Sequence, residues 1–248
     1  MAIIESNTMV WFLCLLPVVA FLYSSVGHGG ASGYLALMAL FNFAPETMKT
    51  TALILNLFVA GISFYHFAKK GYFNMKLFLP FAVASIPAAF VGGMLSIDAT
   101  WYKIILGLIL LFAIFRMVFQ INEHHKLTQL QLWQGLFSGA LIGFFSGLIG
   151  IGGGIILSPL ILVFKWGKIK EAAAVSALFI WVNSLSGLMG QLSSGLSFDP
   201  MIYYMIGFAV VGGFLGGYFG SSINNKNLKY GLASVLFAAS VKLIFIHG

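Results

Sequence analysis

Apolar runs of 18 residues or more follow one another along this 248-residue chain, separated by short polar breaks. Runs of that length predict membrane-crossing helices, since about 20 residues span a hydrocarbon core of about 30 Å. Dividing the chain at its polar breaks predicts ten segments, at 9–26, 32–44, 47–67, 76–95, 101–120, 131–149, 154–166, 169–191, 201–222 and 228–246. The second and seventh, about thirteen residues or roughly 20 Å long, are too short to span. Each follows a glycine knot, Gly27-His28-Gly29-Gly30-Ala31 in one case and Gly150-Ile151-Gly152-Gly153-Gly154 in the other. The pattern therefore predicts broken or re-entrant helical hairpins over 9–44 and 131–166, each followed by three transmembrane helices. Backbone that leaves helical geometry at membrane depth persists only where protein or a water-filled cavity satisfies it.

The two halves align segment by segment. The knots match at an offset of 123, Asn56 pairs with Asn183, and Phe81-Ala82-Val83 pairs with Phe208-Ala209-Val210. Gly92-Gly93 falls close to the match of Gly216-Gly217, and Gly107-Leu108 matches Gly231-Leu232. The expected fold is an all-α polytopic membrane protein built from two repeats. They cover 1–120 and 131–248, with a polar cytoplasmic linker at 121–130 inside one membrane domain. Five segments per half is an odd number, which inverts the second repeat in the membrane.

Composition excludes the soluble classes, with 60% hydrophobic residues, 8% charged residues and a mean hydropathy of +1.00. The long runs also exclude a transmembrane barrel, whose strands are short and alternating. Residues 1–8 carry Glu5 and no basic residue, so the run from Met9 reads as a retained helix rather than a cleavable signal. The lone Cys14 leaves no disulfide framework or cysteine metal site. No cofactor is expected, and the net charge of +7 marks loops rather than a nucleic-acid partner. With the N-terminus outside, the inner loops hold Lys69, Lys70, Lys76, Arg116, Lys126, Lys165, Lys168, Lys170, Lys226 and Lys229. The outer side keeps Lys49, Lys103 and Lys242, and ten against three is a strong positive-inside bias. A multi-pass membrane protein with both termini outside is expected. The count leaves full spans and re-entrant segments undistinguished.

A helix that starts just after a glycine knot exposes N–H groups without intrahelical partners and carries the positive end of its dipole. Two such starts, near Ala31-Ser32-Gly33 and Gly154-Ile155-Ile156, facing each other would bind an anion without any Lys or Arg. Gly27, Gly29, Gly30, Ala31, Gly150, Gly152, Gly153, Gly154 and Ile155 are the candidate backbone of that site. The competing reading is that such glycines only let helices pack closely.

The run Gly147-Leu148-Ile149-Gly150-Ile151-Gly152-Gly153-Gly154 followed by Pro159, its degenerate first-half copy, the Asn56 and Asn183 helices and the polar central loop resemble the sulfite exporter TauE/SafE family. That family is also called the 4-toluene sulfonate uptake permeases, and the resemblance covers essentially the whole chain. It implies transport of a small sulfur-containing anion, such as sulfite or an organosulfonate like sulfoacetate, across a bacterial inner membrane. His28 and Ala31 depart from a purely apolar, glycine-rich knot and make the two copies unequal.

Several side chains join the candidate site. His28, the ionisable residue placed at membrane depth, suits an anion contact or a proton carrier, or else caps exposed carbonyls. Ser25 and Ser32 lie within one turn of the first break. Serines in such helices also bond back to their own helix. Asn56 and Asn183 suit a brace for the knots as well as substrate contact, because a buried amide needs partners. Gln191 lies on nearly the same face as Asn183. Pro80, Pro87 and the glycines at 212–213 and 216–217 suit either hinges or static packing. His124-His125 reads as a solvated pair rather than a metal site.

The leading expectation is a secondary transporter that binds its anion between the hairpin tips and works by alternating access. An anion channel of the same architecture is the alternative. A membrane-embedded enzyme fits poorly, because Asp98, Asp199, Glu46, Glu123 and Glu171 all fall in loops. Partners are the small anion and membrane lipids. A homodimer and proton coupling stay open.

Overall fold

The computed structural model describes residues 6–25, 28–118, 127–195, 200–219 and 226–245. Gly27, His124, His125 and Asp199 lie outside them. The described residues form ten helices and no strand: α1 (Ser6–Ser25), α2 (Ala31–Leu40), α3 (Pro45–Lys69), α4 (Met75–Met94), α5 (Ala99–Val118), α6 (Leu132–Ile149), α7 (Gly154–Val163), α8 (Ile169–Ser193), α9 (Ile202–Phe219) and α10 (Lys226–Phe245). The protein is an all-α membrane protein. Five helices, α3, α4, α6, α8 and α9, are long and apolar enough by themselves to cross a bilayer.

Local chemistry sets the ends. Pro45 opens α3 with Glu46 in its first turn, and Lys69 closes it, charges that suit the two ends of a helix dipole. Asn74 caps α4 by accepting from the Leu77 amide at 3.3 Å. The short helices α2 and α7 have 10 residues each, fewer than the pattern suggested. The reason is a shared terminator. Asn42 and Lys165 take left-handed φ values of 60° and 58°. The Phe43 and Trp166 amides then donate back to Met38 O at 3.0 Å and Ile161 O at 2.9 Å. This is the Schellman closure, and it leaves residues 41–44 and 164–166 of the two apolar runs outside the helices.

Close contacts give the helix directions. A methyl group placed on Gly139, Gly143 or Gly147 of α6 would strike the backbone of Phe81, Ser85 or Ala89 of α4 in turn, so the two helices run parallel. Gly212 and Gly216 of α9 meet the backbone of Pro17 and Phe21 of α1 in the same way. Small residues that let backbones touch are the usual means of holding membrane helices together. The glycines at 212–213 and 216–217 are thus engaged in packing. Helices α3 and α8 run antiparallel, since Thr50 bonds Gln191 at 3.1 Å and Asn56 bonds Ser184 at 3.1 Å.

The six most extensive packing pairs are α1 with α9, α4 with α6, α3 with α9, α4 with α8, α3 with α8 and α5 with α10. Exchanging each helix for the one five places away maps this set onto itself. Lys49, Lys103 and Lys242 gather at one end, the Lys49 end. Lys165 and Lys170 lie at the other, where Lys170 Nζ donates to Tyr72 OH at 3.1 Å and the Thr128 amide to Lys165 O at 2.9 Å. Exposed Trp11, Trp101, Tyr203 and Tyr204 ring the first end, and Tyr65, Trp133 and Tyr218 the second. Such girdles mark bilayer interfaces.

Candidate site at the paired helix starts

Both glycine knots come to the middle of the antiparallel α3–α8 pair. A methyl group on Gly29 would lie 2.6 Å from Asn56 Oδ1 and 2.9 Å from Ile180 Cγ2. One on Gly152 would lie 2.6 Å from Asn56 Nδ2 and 2.7 Å from the same Ile180 carbon. The two knots therefore clasp a single buried amide, and only residues without a Cβ allow that approach. Gly30 (φ 94°) is the N-cap of α2 and Gly153 (φ 76°) the N-cap of α7, and neither start receives a side-chain cap. Their first amides are left without intrahelical partners.

Unpartnered hydroxyls stand beside both starts. Tyr34 is fully buried, and its OH would lie 2.6 Å from a methyl group on Gly30. Ser146 is fully buried, with its Cβ 3.5 Å from the same point on Gly153. Tyr34 OH, Ser146 Oγ, Ser176 Oγ and Asn56 Oδ1 have no hydrogen-bond partner among the described residues. A buried polar group left unpaired is costly, and clusters of them call for a ligand or an ordered water.

The remaining candidates divide. Ala31 and Ile155 are buried in the first turns of α2 and α7. His28 is half-buried, and its amide closes α1 by donating to Tyr23 O at 2.9 Å. Gly154 packs on Ile180, whereas Gly150 (φ 89°) caps the end of α6 against the Lys49 backbone. Ser25 Oγ donates to Leu22 O at 2.8 Å and Ser32 Oγ to Tyr23 OH at 2.7 Å, so both hydroxyls serve the protein. Asn183 Nδ2 donates to Phe179 O of its own helix at 2.8 Å, while its Oδ1 is buried without a partner. Matched in sequence, Asn56 and Asn183 are unlike in place: the first is held between the knots.

The TauE/SafE sulfite exporter family matches residues 12–243 of the chain. The chain belongs to this family. It is 34% identical to the probable membrane transporter protein y4hK of Sinorhizobium fredii, over 92% of this chain and 95% of that protein. It is 28% identical to the probable membrane transporter protein MJ0441 of Methanocaldococcus jannaschii, over 91% and 94% of the two chains. No solved structure matches. The chain is thus a membrane transporter of the TauE/SafE family.

What sequence reasoning missed in this TauE/SafE chain is the role of Lys49, which it counted only as an outer-side charge at the start of the 47–67 segment. Only 8% of Lys49 is exposed, and its Nζ donates to Gly93 O and Leu95 O, both at 3.1 Å. These carbonyls end α4, where a cation complements the dipole. Lys49 lines a cavity of about 640 Å³ together with Thr50, Tyr102, Leu148, Gln191 and Ser194. Tyr102 OH donates to Ile149 O at 2.9 Å, directly before the second knot. The available signal was Lys49-Thr50-Thr51 ahead of an apolar run, a polar first turn inside a span rather than a loop.

Proposed function

We propose that the chain is a secondary transporter for a small sulfur-containing oxyanion, sulfite or an organosulfonate such as sulfoacetate. The anion binds between the starts of α2 and α7, and its negative oxygens meet the uncapped amides and the hydroxyls of Tyr34 and Ser146. The observation that carries this reading is the meeting of both knots on Asn56, which brings two uncapped helix starts to one depth. Helix starts are suited to anions because N–H groups and dipole act together, without the desolvation cost of a buried base. The family description, sulfite exporter, supports the sulfur oxyanion.

In this reading the halves form an inverted repeat, with the Lys49 end and both termini outside an inner membrane. The opposed directions of α3 and α8 and the exchange symmetry of the helix pairs support it. Alternating access then follows from rocking one half against the other about the clasped amide.

Counterflow in proteoliposomes tests the proposal, with vesicles preloaded in turn with sulfite, thiosulfate, sulfoacetate and taurine. Saturable exchange with one of the anions, stimulated by anion on the opposite side, is expected. Flux without that stimulation would identify a channel. No flux with any of them, from protein shown to be folded, would sink the sulfur-anion reading.

A further inference from the structure

The cavity at the Lys49 end has the chemistry of a binding site in its own right. Its one buried charge is an ammonium on a transmembrane helix, and a charge held out of water needs close partners. Lys49 spends two donors on the carbonyls of Gly93 and Leu95. No carboxylate among the described residues pairs with it; Glu46, which also lines the cavity, is exposed one turn earlier on α3. Among the described residues the positive charge therefore goes uncompensated. Around it, Ser96 and Gln191 line the wall with groups able to donate hydrogen bonds, while the hydroxyls of Thr50, Tyr102 and Ser194 spend their protons on protein acceptors. Gln191 Oε1 accepts from Thr50 at 3.1 Å, which leaves its amide donors unspent among the described residues.

Position gives the cavity a role. Leu148 and Tyr102 form part of its wall, and Tyr102 ties down Ile149 O, so it ends where the second knot begins. A methyl group on Gly150 would lie 2.8 Å from the Lys49 carbonyl oxygen. The corresponding stretch of the second half is Ala172-Ala173-Ala174-Val175-Ser176, which holds no base. One mouth of the protein is charged and the other lacks the equivalent residue.

We propose that this cavity is a second anion site, a vestibule in which Lys49 holds a small oxyanion next to the second knot before it reaches, or after it leaves, the paired helix starts. The proposal rests on the oxyanion-transport reading and adds to it a charged, one-sided capture step. Oxyanion capture is favoured over a neutral solute because only an anion balances the ammonium. A volume of about 640 Å³ holds a small oxyanion together with part of its water.

The test compares wild type, Lys49→Met and Lys49→Arg in sulfite counterflow, and in calorimetric titration of the purified proteins with sulfite. Lys49→Met is expected to raise the half-saturation concentration at least tenfold for anion presented to the Lys49 end, with maximal exchange within about twofold of wild type. Lys49→Arg restores most of the affinity. As a second route, Lys49→Cys in a Cys14→Ser background loses affinity and regains it after aminoethylation, which rebuilds the ammonium.

Unchanged half-saturation in Lys49→Met, with only a lower melting temperature, would overturn the proposal and leave Lys49 as a tie between α3 and α4. If wild type exchanges no anion, the transport reading fails, and the titration alone decides the vestibule. Binding by wild type that weakens in Lys49→Met upholds it; equal binding or none overturns it.

Discussion

The two glycine breaks reach one geometry by different chemistry. The second places three glycines, Gly150, Gly152 and Gly153, in left-handed backbone and is enclosed by side chains of other helices, Ile142 of α6 and Phe179 of α8. Among the described residues of the first, Gly30 alone takes that conformation, and its open side is covered by the ring of Tyr34, four residues on in its own helix. Leu157 stands where Tyr34 would in the second half. The first start therefore carries its own cover and a buried phenol, while the second borrows its cover from neighbours. A repeated backbone does not imply a repeated binding surface, and a bound anion meets two unlike helix ends.

The largest effect that would break this comparison is expected at the N-cap glycines. Gly153→Ala forces a Cβ into left-handed backbone, at about 1–2 kcal/mol, and overpacks Ile142 and Phe179 for a further cost of about 1–3 kcal/mol. Thermal unfolding should fall accordingly and exchange should be lost. Gly30→Ala should recover much of its loss when combined with Tyr34→Leu, because the obstacle is one side chain. Gly71→Ala, with φ 77° and nothing within 4 Å of the added methyl, isolates the backbone share. Equal losses at Gly30 and Gly71 would show that Tyr34 does not cover the first break.

The matched asparagines provide the next contrast. Asn56→Leu drives branched carbons at Gly29 and Gly152 together and should cost over about 2 kcal/mol, with loss of counterflow. Asn183→Leu breaks one bond to its own helix, worth about 1 kcal/mol, and should keep exchange. Equal defects in the two variants would end the view that Asn56 alone is the clasp.

The smallest expected stability change sharpens the assignment of ligand contacts. Tyr34→Phe and Ser146→Ala each remove a buried hydroxyl without a partner, so stability should hold or rise by up to about 1 kcal/mol. Anion affinity should fall several-fold in both. A hydroxyl of purely structural value would show the reverse, lower stability with unchanged half-saturation in counterflow.

Much of this architecture was legible in the sequence because bilayer helices obey length and polarity rules that act locally. The apolar runs located ten helices, and the knots located both breaks. The lengths of α2 and α7 were overestimated because Schellman closure depends on Asn42 and Lys165 adopting left-handed backbone, which hydropathy does not report. Lys49 fell inside the 47–67 segment yet was counted only as a charge of the outer side. A lysine one turn inside a span reads as a boundary charge until the end of α4 is seen beside it. Ser25 and Ser32 lay near the break as expected, but proximity along the chain did not decide where their hydroxyls point.

By itself the sequence determined that this is a helical membrane protein whose helices are interrupted at two glycine knots. Those properties follow from hydrophobic run length and glycine placement, which constrain the backbone residue by residue. Only the tertiary structure decided that both knots close on Asn56 rather than on the asparagine pair, that Tyr34 and Ser146 stand at the helix starts, and that Lys49 faces a cavity. Each of these depends on which helices pack together and in what register. Small residues set that register by letting backbones touch, and such contacts between distant segments leave no periodic trace in a single chain.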